Sequence, residues 1–259
     1  MKTARLIALI VVPLLFACHP KKPEIPGAEA PAGPLLQVLE QQRRSFRSLK
    51  AIAGVDAVRR GRKQSFDTVG IVLDDQRRLR MEAFGPLGQS LIALVWDGRD
   101  VLLRLPDDER IMTPGQEGLD RVLGMHLEAR ELCAVLAGNA PEPSPRAAAK
   151  AFCVPNNACV VELEEGDDVR RVHLLPAPNA SGAVPFRIAA QERYHADDLL
   201  YRVQYDGHTE SAGILLPRTI AIEGPGGKAA LTITYQEADA NQPLSDELFT
   251  LASDTAGGR

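Results

Sequence analysis

The segment Arg80-Met-Glu-Ala-Phe-Gly-Pro-Leu-Gly-Gln-Ser-Leu-Ile-Ala-Leu-Val-Trp-Asp-Gly-Arg99 reads as a β-rich run, a Gly-Pro-Leu-Gly loop, a second run and an Asp-Gly turn. Asp-Gly between two such runs signals a tight hairpin, because both residues accept positive φ. The same punctuation continues outward. Toward the N-terminus, runs at 52–60, 64–73 and 77–85 are separated by polar turns such as Asp74-Asp75-Gln76; toward the C-terminus, runs at 99–105 and 109–112 flank Pro106-Asp107-Asp108. A second series follows at 158–165, 168–175, 185–194, 199–206, 214–222 and 229–236, with Glu165-Gly166-Asp167, Asp206-Gly207 and Gly224-Pro225-Gly226-Gly227 as connections. About twelve short, evenly spaced strands predict a mainly β, α+β chain built as a barrel or strongly curved antiparallel sheet. No βαβ alternation and no 20–50-residue repeat is present.

Helical spacing appears in two places. Leu35, Leu36, Leu39, Phe46 and Leu49 predict an amphipathic helix ending before Gly54, which must lie on something apolar. Leu119, Val122, Leu123, Leu127, Leu132, Val135 and Leu136 predict a second, with Gly138-Asn139 as its stop signal. Arg146 to Lys150 is read as a short helical turn, and Leu244 to Phe249 as another.

The chain opens with Lys2 and Arg5, runs apolar from Leu6 to Phe16, and reaches Ala17-Cys18. This is the layout of a cleaved signal peptide, residues 1–17. As a helix the apolar run reaches about 16 Å, roughly half a hydrocarbon core, so a transmembrane span is the weaker reading. Without residues 1–17 the chain carries 28 basic and 34 acidic residues, a net of −6, which speaks against nucleic acid as a partner. Residues 20–34 are Pro, Gly, Ala and charge and read as a flexible tether, ahead of one domain over 35–252 and a tail at 253–259. Cys153 and Cys159 flank a Pro-Asn-Asn turn and either pair or stay buried thiols; Cys133 lies in an apolar helical pattern. No nucleophile elbow, phosphate-cradling glycine loop, paired-carboxylate site or metal-ligand spacing occurs among the five histidines and the cysteines, so no catalytic residue, metal or cofactor is expected.

Leu15-Phe16-Ala17-Cys18 resembles a bacterial lipobox. That resemblance implies diacylglycerol and a further acyl chain on Cys18, and more than one chain makes a stable membrane anchor. His19 in place of Asp implies the outer membrane, at its periplasmic face. Arg80 to Leu94, with Gly118-Leu-Asp-Arg-Val-Leu-Gly-Met-His-Leu-Glu-Ala-Arg-Glu-Leu-Cys-Ala-Val-Leu-Ala-Gly138 and the ending Asn241-Gln-Pro-Leu-Ser-Asp-Glu-Leu-Phe249, resembles the LolA and LolB superfamily of lipoprotein carriers and receptors. The likeness covers about 35–140 and the C-terminal end. It implies an incomplete barrel of about eleven strands covered by helices, enclosing an apolar cavity for lipoprotein acyl chains. It also implies membrane contact by Leu87, with Pro86 and Phe84 beside it, and a LolA-like periplasmic carrier as partner to a monomer.

Met81, Leu91, Trp96, Leu103, Leu123, Leu132 and Leu136 are candidates to line the acyl cavity, and the same residues fit a packed core equally well. The function expected is receipt and insertion of lipoproteins at the outer membrane. The alternative is an envelope lipoprotein of the same fold that binds a protein partner without moving lipid.

Overall fold

The computed structural model describes residues 22–75, 78–105, 108–112, 123–177 and 186–250; Cys18 lies outside them. The chain runs β1 (Ala28–Ala30), α1 (Ala32–Ser45), β2 (Ser48–Arg59), β3 (Arg62–Asp74), β4 (Leu79–Phe84), β5 (Ser90–Trp96), β6 (Val101–Leu105) and β7 (Asp108–Met112). After α2 (Ala129–Leu136) come β8 (Ala148–Cys153), β9 (Cys159–Glu165), β10 (Asp168–Pro176), β11 (Phe186–His195) and β12 (Asp198–Asp206). The series closes with β13 (Thr209–Ser211), β14 (Ile214–Leu216), β15 (Thr219–Glu223) and β16 (Ala229–Ala240). Fourteen strands form one antiparallel sheet in the order β1-β8-β9-β10-β11-β12-β15-β16-β2-β3-β4-β5-β6-β7, while β13 and β14 make a separate hairpin. The sheet is open and curled. Its edge strands β1 and β7 are not paired with each other, so no closed barrel forms.

Alternation along the strands builds one interior. In β2, Leu49, Ala51, Ala53 and Val55 are buried, and in β16 Ala229, Leu231, Ile233 and Tyr235 match them on the same face. These residues and the buried side of α2 join one apolar cluster. Among the described residues the helical cover is two helices. α1 lies against β8 and β9 through Leu35 and Leu39, and α2 is buried over most of its circumference.

Several boundaries differ from the sequence expectation. The first helix stops at Ser45, and Leu49 belongs to β2, where its i+2 partners Ala51 and Ala53 face the core between β16 and β3. Asn241 holds the junction: its Oδ1 accepts from the Arg47 N–H at 2.8 Å and its Nδ2 donates to Ser45 O at 3.1 Å. The second helix is interrupted: Leu123 is helical, residues 124–128 are not, with Gly124 at φ +73°, and α2 begins at Ala129; residues 113–122 lie outside the described residues. Residues 148–150, read as a helical turn, begin β8, because pairing with Glu162, Leu163 and Glu164 of β9 overrides the helix propensity of alanine. The run 214–222 is divided at Pro217, which has no N–H for a ladder. The segment read as a tether is shorter than expected, since Ala28–Ala30 pairs with Ala151–Cys153 and Pro23 O accepts from Arg171 Nη1 at 2.7 Å. Cys153 and Cys159 face each other across β8 and β9 and form a disulfide.

The outer face of β9 to β12 carries one rung of alternating charge. Arg171 is in register with Glu162 and with Glu192, and Glu192 with Arg202. Arg171 Nε donates to Glu162 at 2.7 Å, and Arg202 Nε donates to Glu192 at 2.8 Å. Burial works to raise the Glu192 carboxyl, but His173, the Tyr194 hydroxyl and the Arg202 charge outweigh it and hold it down at about 2, against 4.5 for a free glutamate. A depressed carboxyl stabilises the fold fully above its unfolded value and loses that contribution as pH falls through the folded one. Unfolding by denaturant should therefore show the wild type losing on the order of 2–3 kcal/mol more than Glu192→Gln between pH 4.5 and about 2. Parallel stability curves for the two proteins across that window would remove Glu192 as the cause.

Candidate functional site

α2 is placed by its first turn. Glu128 and Glu131 form a capping box, in which the Glu128 side chain accepts from the N–H three residues on and Glu131 Oε2 accepts from the Glu128 N–H at 3.1 Å. Glu131 is 2% exposed, and its Oε1 accepts from Arg170 Nη2 and from Arg193 Nη1, both at 2.6 Å. Tyr201 bonds the same carboxylate, and burial with that charge raises its hydroxyl pKa above the usual tyrosine value. One buried carboxylate thus ties the helix to β10, β11 and β12.

The other end of α2 is held by polar groups of the sheet. Tyr235 Oη donates to Leu136 O at 2.8 Å, and Gln191 Nε2 donates both to Asn139 O at 2.9 Å and to Tyr205 Oη at 2.7 Å. These bonds satisfy carbonyls that a helix end leaves open. Gly138 turns the chain at φ +67°, and a Cβ there would meet Pro217 Cδ at 2.7 Å. Burial raises the Tyr205 and Tyr235 hydroxyls above the ordinary range as well, so both stay protonated.

Two open clefts adjoin α1 and α2. The larger, about 1120 Å³, runs from Arg47 and Asp75 past Cys133 and Asn139 to Asp168, Arg170 and Arg193. The smaller, about 570 Å³, is walled by Leu36 and Leu39 of α1, Ala140, Pro141 and Pro143 of the following loop, and Leu163 of β9. Arg43, Arg44, Ala140, Pro141, Pro143 and Leu163 border both, so a charged entrance adjoins an apolar recess. Both volumes are of the size that binds small ligands.

The residues named from sequence as cavity lining lie elsewhere. Trp96, Leu103, Leu132 and Leu136 belong to the packed core, Met81 and Leu123 pack partly buried against it, and Leu91 is half-buried on β5. None borders either cleft. Leu36, Leu39, Leu163 and Pro141 do, and of these the sequence singled out only Leu36 and Leu39, as the apolar face of a helix.

Among the exposed large apolar side chains of the described residues Ile52 is 38% exposed, whereas Leu87, at the β4–β5 turn, is 92% exposed. Its loop is fixed by Gly85 N–H to Gln89 O and Gly88 N–H to Gly85 O, both at 2.9 Å, and by Leu87 N–H to Gln89 Oε1 at 3.1 Å. A Cβ on Gly85 would strike the Gln89 side chain folded beneath it. Pro86 is exposed beside Leu87, whereas Phe84 is half-buried with its ring over Gly70. Among the described residues no group of three or more His, Cys, Asp or Glu is gathered as for a metal, and no helix is long and apolar enough to cross a membrane.

No protein-family model matches the chain, and no curated protein matches it in sequence. Solved structures do resemble it. A LolA superfamily protein from Nitrosomonas europaea superposes with a TM-score of 0.55 at 13% identity, covering 83% of this chain and 97% of its own. A DUF1329 family protein from Desulfovibrio piger gives 0.60 at 12% identity, covering 85% and 97%. A domain from Vibrio parahaemolyticus, named for outer membrane lipoprotein sorting, gives 0.53 at 10% identity, covering 83% and 95%. At these identities the likeness is one of fold: the chain has the open, curled sheet of LolA-like proteins.

The Glu131 cluster makes a specific stability claim. Glu131→Gln keeps the size but leaves Arg170 and Arg193 facing a neutral amide, and should cost about 2–3 kcal/mol, less than a fully buried pair because both arginines keep some solvent. Replacing Glu131, Arg170 and Arg193 together by apolar residues should recover most of that loss in denaturant unfolding. A Glu131→Gln protein as stable as the wild type would show that the carboxylate does not hold α2.

Proposed function

We propose that this chain is a lipid-anchored envelope protein that receives acyl chains and helps insert lipoproteins into the outer membrane, in the manner of LolB. The observation that carries the reading is Leu87, 92% exposed on a turn held by its own backbone bonds and by Gln89. An ordered leucine at such exposure is free to enter a bilayer without any rearrangement of the fold. Burying one leucine in the acyl boundary of a bilayer contributes roughly 1.5–3 kcal/mol. The LolA-like sheet supports the reading as a scaffold, and the lipobox at Cys18 supplies the anchor that brings Leu87 to a membrane.

The acyl chain is received in the recess bounded by Leu36, Leu39, Pro141 and Leu163 rather than among the core residues, which are already packed. Arg43 and Arg44 at its border face the ester and headgroup end of a lipid, and a LolA-like periplasmic carrier delivers it. No covalent step is involved. Transfer runs down an affinity gradient, from the small apolar recess to the larger apolar volume of the membrane.

In a strain depleted of this protein, Leu87→Glu should reduce lipoprotein insertion on the order of tenfold to a hundredfold while leaving the fold intact. Full complementation by Leu87→Glu would sink the insertion role. The recess has its own test: with Cys18→Ala protein, Leu36→Glu should weaken binding of a fluorescent fatty acid on the order of tenfold, and Leu87→Glu should not change it. Equal binding by wild type and Leu36→Glu would move the acyl site away from α1.

A further inference from the structure

The β2–β3 hairpin is the longest excursion of the sheet, and its tip is basic in an acidic protein. Arg59, Arg60, Arg62 and Lys63 surround a two-residue turn in which Arg60 and Gly61 take φ +50° and +75°. Every residue from Arg59 to Ser65 is exposed. The neighbouring β15–β16 turn adds exposed Lys228, whose carbonyl accepts from the Arg60 N–H at 3.1 Å. Among the described residues no carboxylate pairs with Arg59, Arg60, Arg62 or Lys228, whereas the chain as a whole has a net charge of −4. The carboxylates of this region stand further back. Asp56 is engaged by Lys63 at 3.4 Å and by Ser65, three residues inboard of Arg59, about 10 Å along a strand. Asp67 and Glu223 are inboard of the tips as well.

Register puts this tip and Leu87 on one rim. Ala229 pairs with Arg59, and Val69 with Ala83, so the β15–β16, β2–β3 and β4–β5 turns leave the same end of neighbouring strands. The hairpin outreaches the Leu87 turn by four or five residues of β3, about 15 Å. A flat surface resting on both tips lies oblique to the strands and also meets the exposed run from Arg62 to Ser65. Cations beside an ordered apolar tip match a bilayer interface, where headgroup phosphates lie next to the acyl boundary.

We infer that the rim formed by Arg59, Arg60, Arg62, Lys63 and Lys228 binds the anionic phosphate headgroups of a phospholipid bilayer, orienting the domain so that Leu87 enters the acyl boundary. The inference deepens the proposed function by naming the surface that its membrane face recognises. It requires neither the acyl recess nor a lipoprotein cargo.

The test uses full-length Cys18→Ala protein, so that the anchor does not mask the surface, in sedimentation with vesicles of phosphatidylcholine alone or with added phosphatidylglycerol. Wild type should prefer the anionic vesicles, and the preference should fall as salt is raised. A cation near an anionic surface is worth about fivefold in binding, so Arg59→Gln with Arg60→Gln and Arg62→Gln should lower that preference on the order of a hundredfold. A second variant, Lys63→Gln with Lys228→Gln, should lower it on the order of twentyfold. Fatty-acid binding should stay unchanged in both, which separates loss of the rim from loss of the fold. Equal binding of wild type to neutral and anionic vesicles would overturn the inference, as would wild-type behaviour of both variants; either outcome leaves the Leu87→Glu result to decide the proposed function. Binding of soluble heparin as tight as vesicle binding, with Leu87→Glu without effect on vesicles, would overturn it too, by making the rim a site for dissolved polyanions.

Discussion

A carboxylate with almost no contact with water holds the interior of this molecule in place. Glu131 caps its own helix through the Glu128 N–H and receives both Arg170 and Arg193, so α2 cannot slide along the sheet without stranding two guanidinium groups. Everything inward of the sheet depends on that placement. An open sheet of fourteen strands exposes one continuous apolar face, and an eight-residue helix covers part of it only while it is fixed against the sheet. Salt-bridged at one end and bonded by Tyr235 and Gln191 at the other, α2 fills the interior and is buried nearly all round.

The two faces of the sheet handle polar groups differently. Inside, three of the four tyrosines direct their hydroxyls at α2 or its partners, which lets a helix end lie in the core without orphaned carbonyls. Outside, the rung Glu162, Arg171, Glu192 and Arg202 alternates in sign across four strands, so each charge has an opposite neighbour directly across the ladder. The N-terminal segment then lies over this rung: Pro23 O accepts from Arg171, and Lys22 stands 3.6 Å from Glu162. It adds little apolar surface, but it gives Arg171 and Glu162 a further partner each beside their own ion pair.

Local signals made most of the strands legible, and distant partners account for what was not. The Gly138-Asn139 stop lies where the sequence put it, whereas the tight Asp97-Gly98 hairpin opens into a four-residue loop, 97–100, between Trp96 and Val101, with only Gly98 at positive φ. β1 and β8 were not legible: Ala-Glu-Ala and an alanine-rich run carry no β preference of their own, and their strand state rests on pairing, β1 with β8 and β8 with β9. Leu49 fits a helix with Phe46 and a strand with Ala51, and only the partners on β16 and β3 decide. The partners of Glu131 lie 39 and 62 residues away in sequence, so Glu131 reads as one more charge on a helix. For the candidate site the limit was facing. Apolar residues such as Trp96 and Leu103 announce burial, but a strand pattern does not say whether the buried face meets a void or other side chains.

That last distinction shapes how an acyl chain could enter. Seating one beneath α2 would require giving up the Glu131 ion pairs and the Tyr235 and Gln191 bonds together, each of which leaves a buried polar group without its partner. Seating it under α1 breaks none of them. α1 meets β8 and β9 mainly through Leu35 and Leu39, and the recess there is already open between the helix and the 140–143 loop. β8 and β9 are in turn joined by the Cys153–Cys159 disulfide. The wall is therefore cross-linked, while its cover is a helix held largely by side-chain packing. In the proposed function α2 is the fixed interior against which the fold is built, and α1 is the element with freedom to yield.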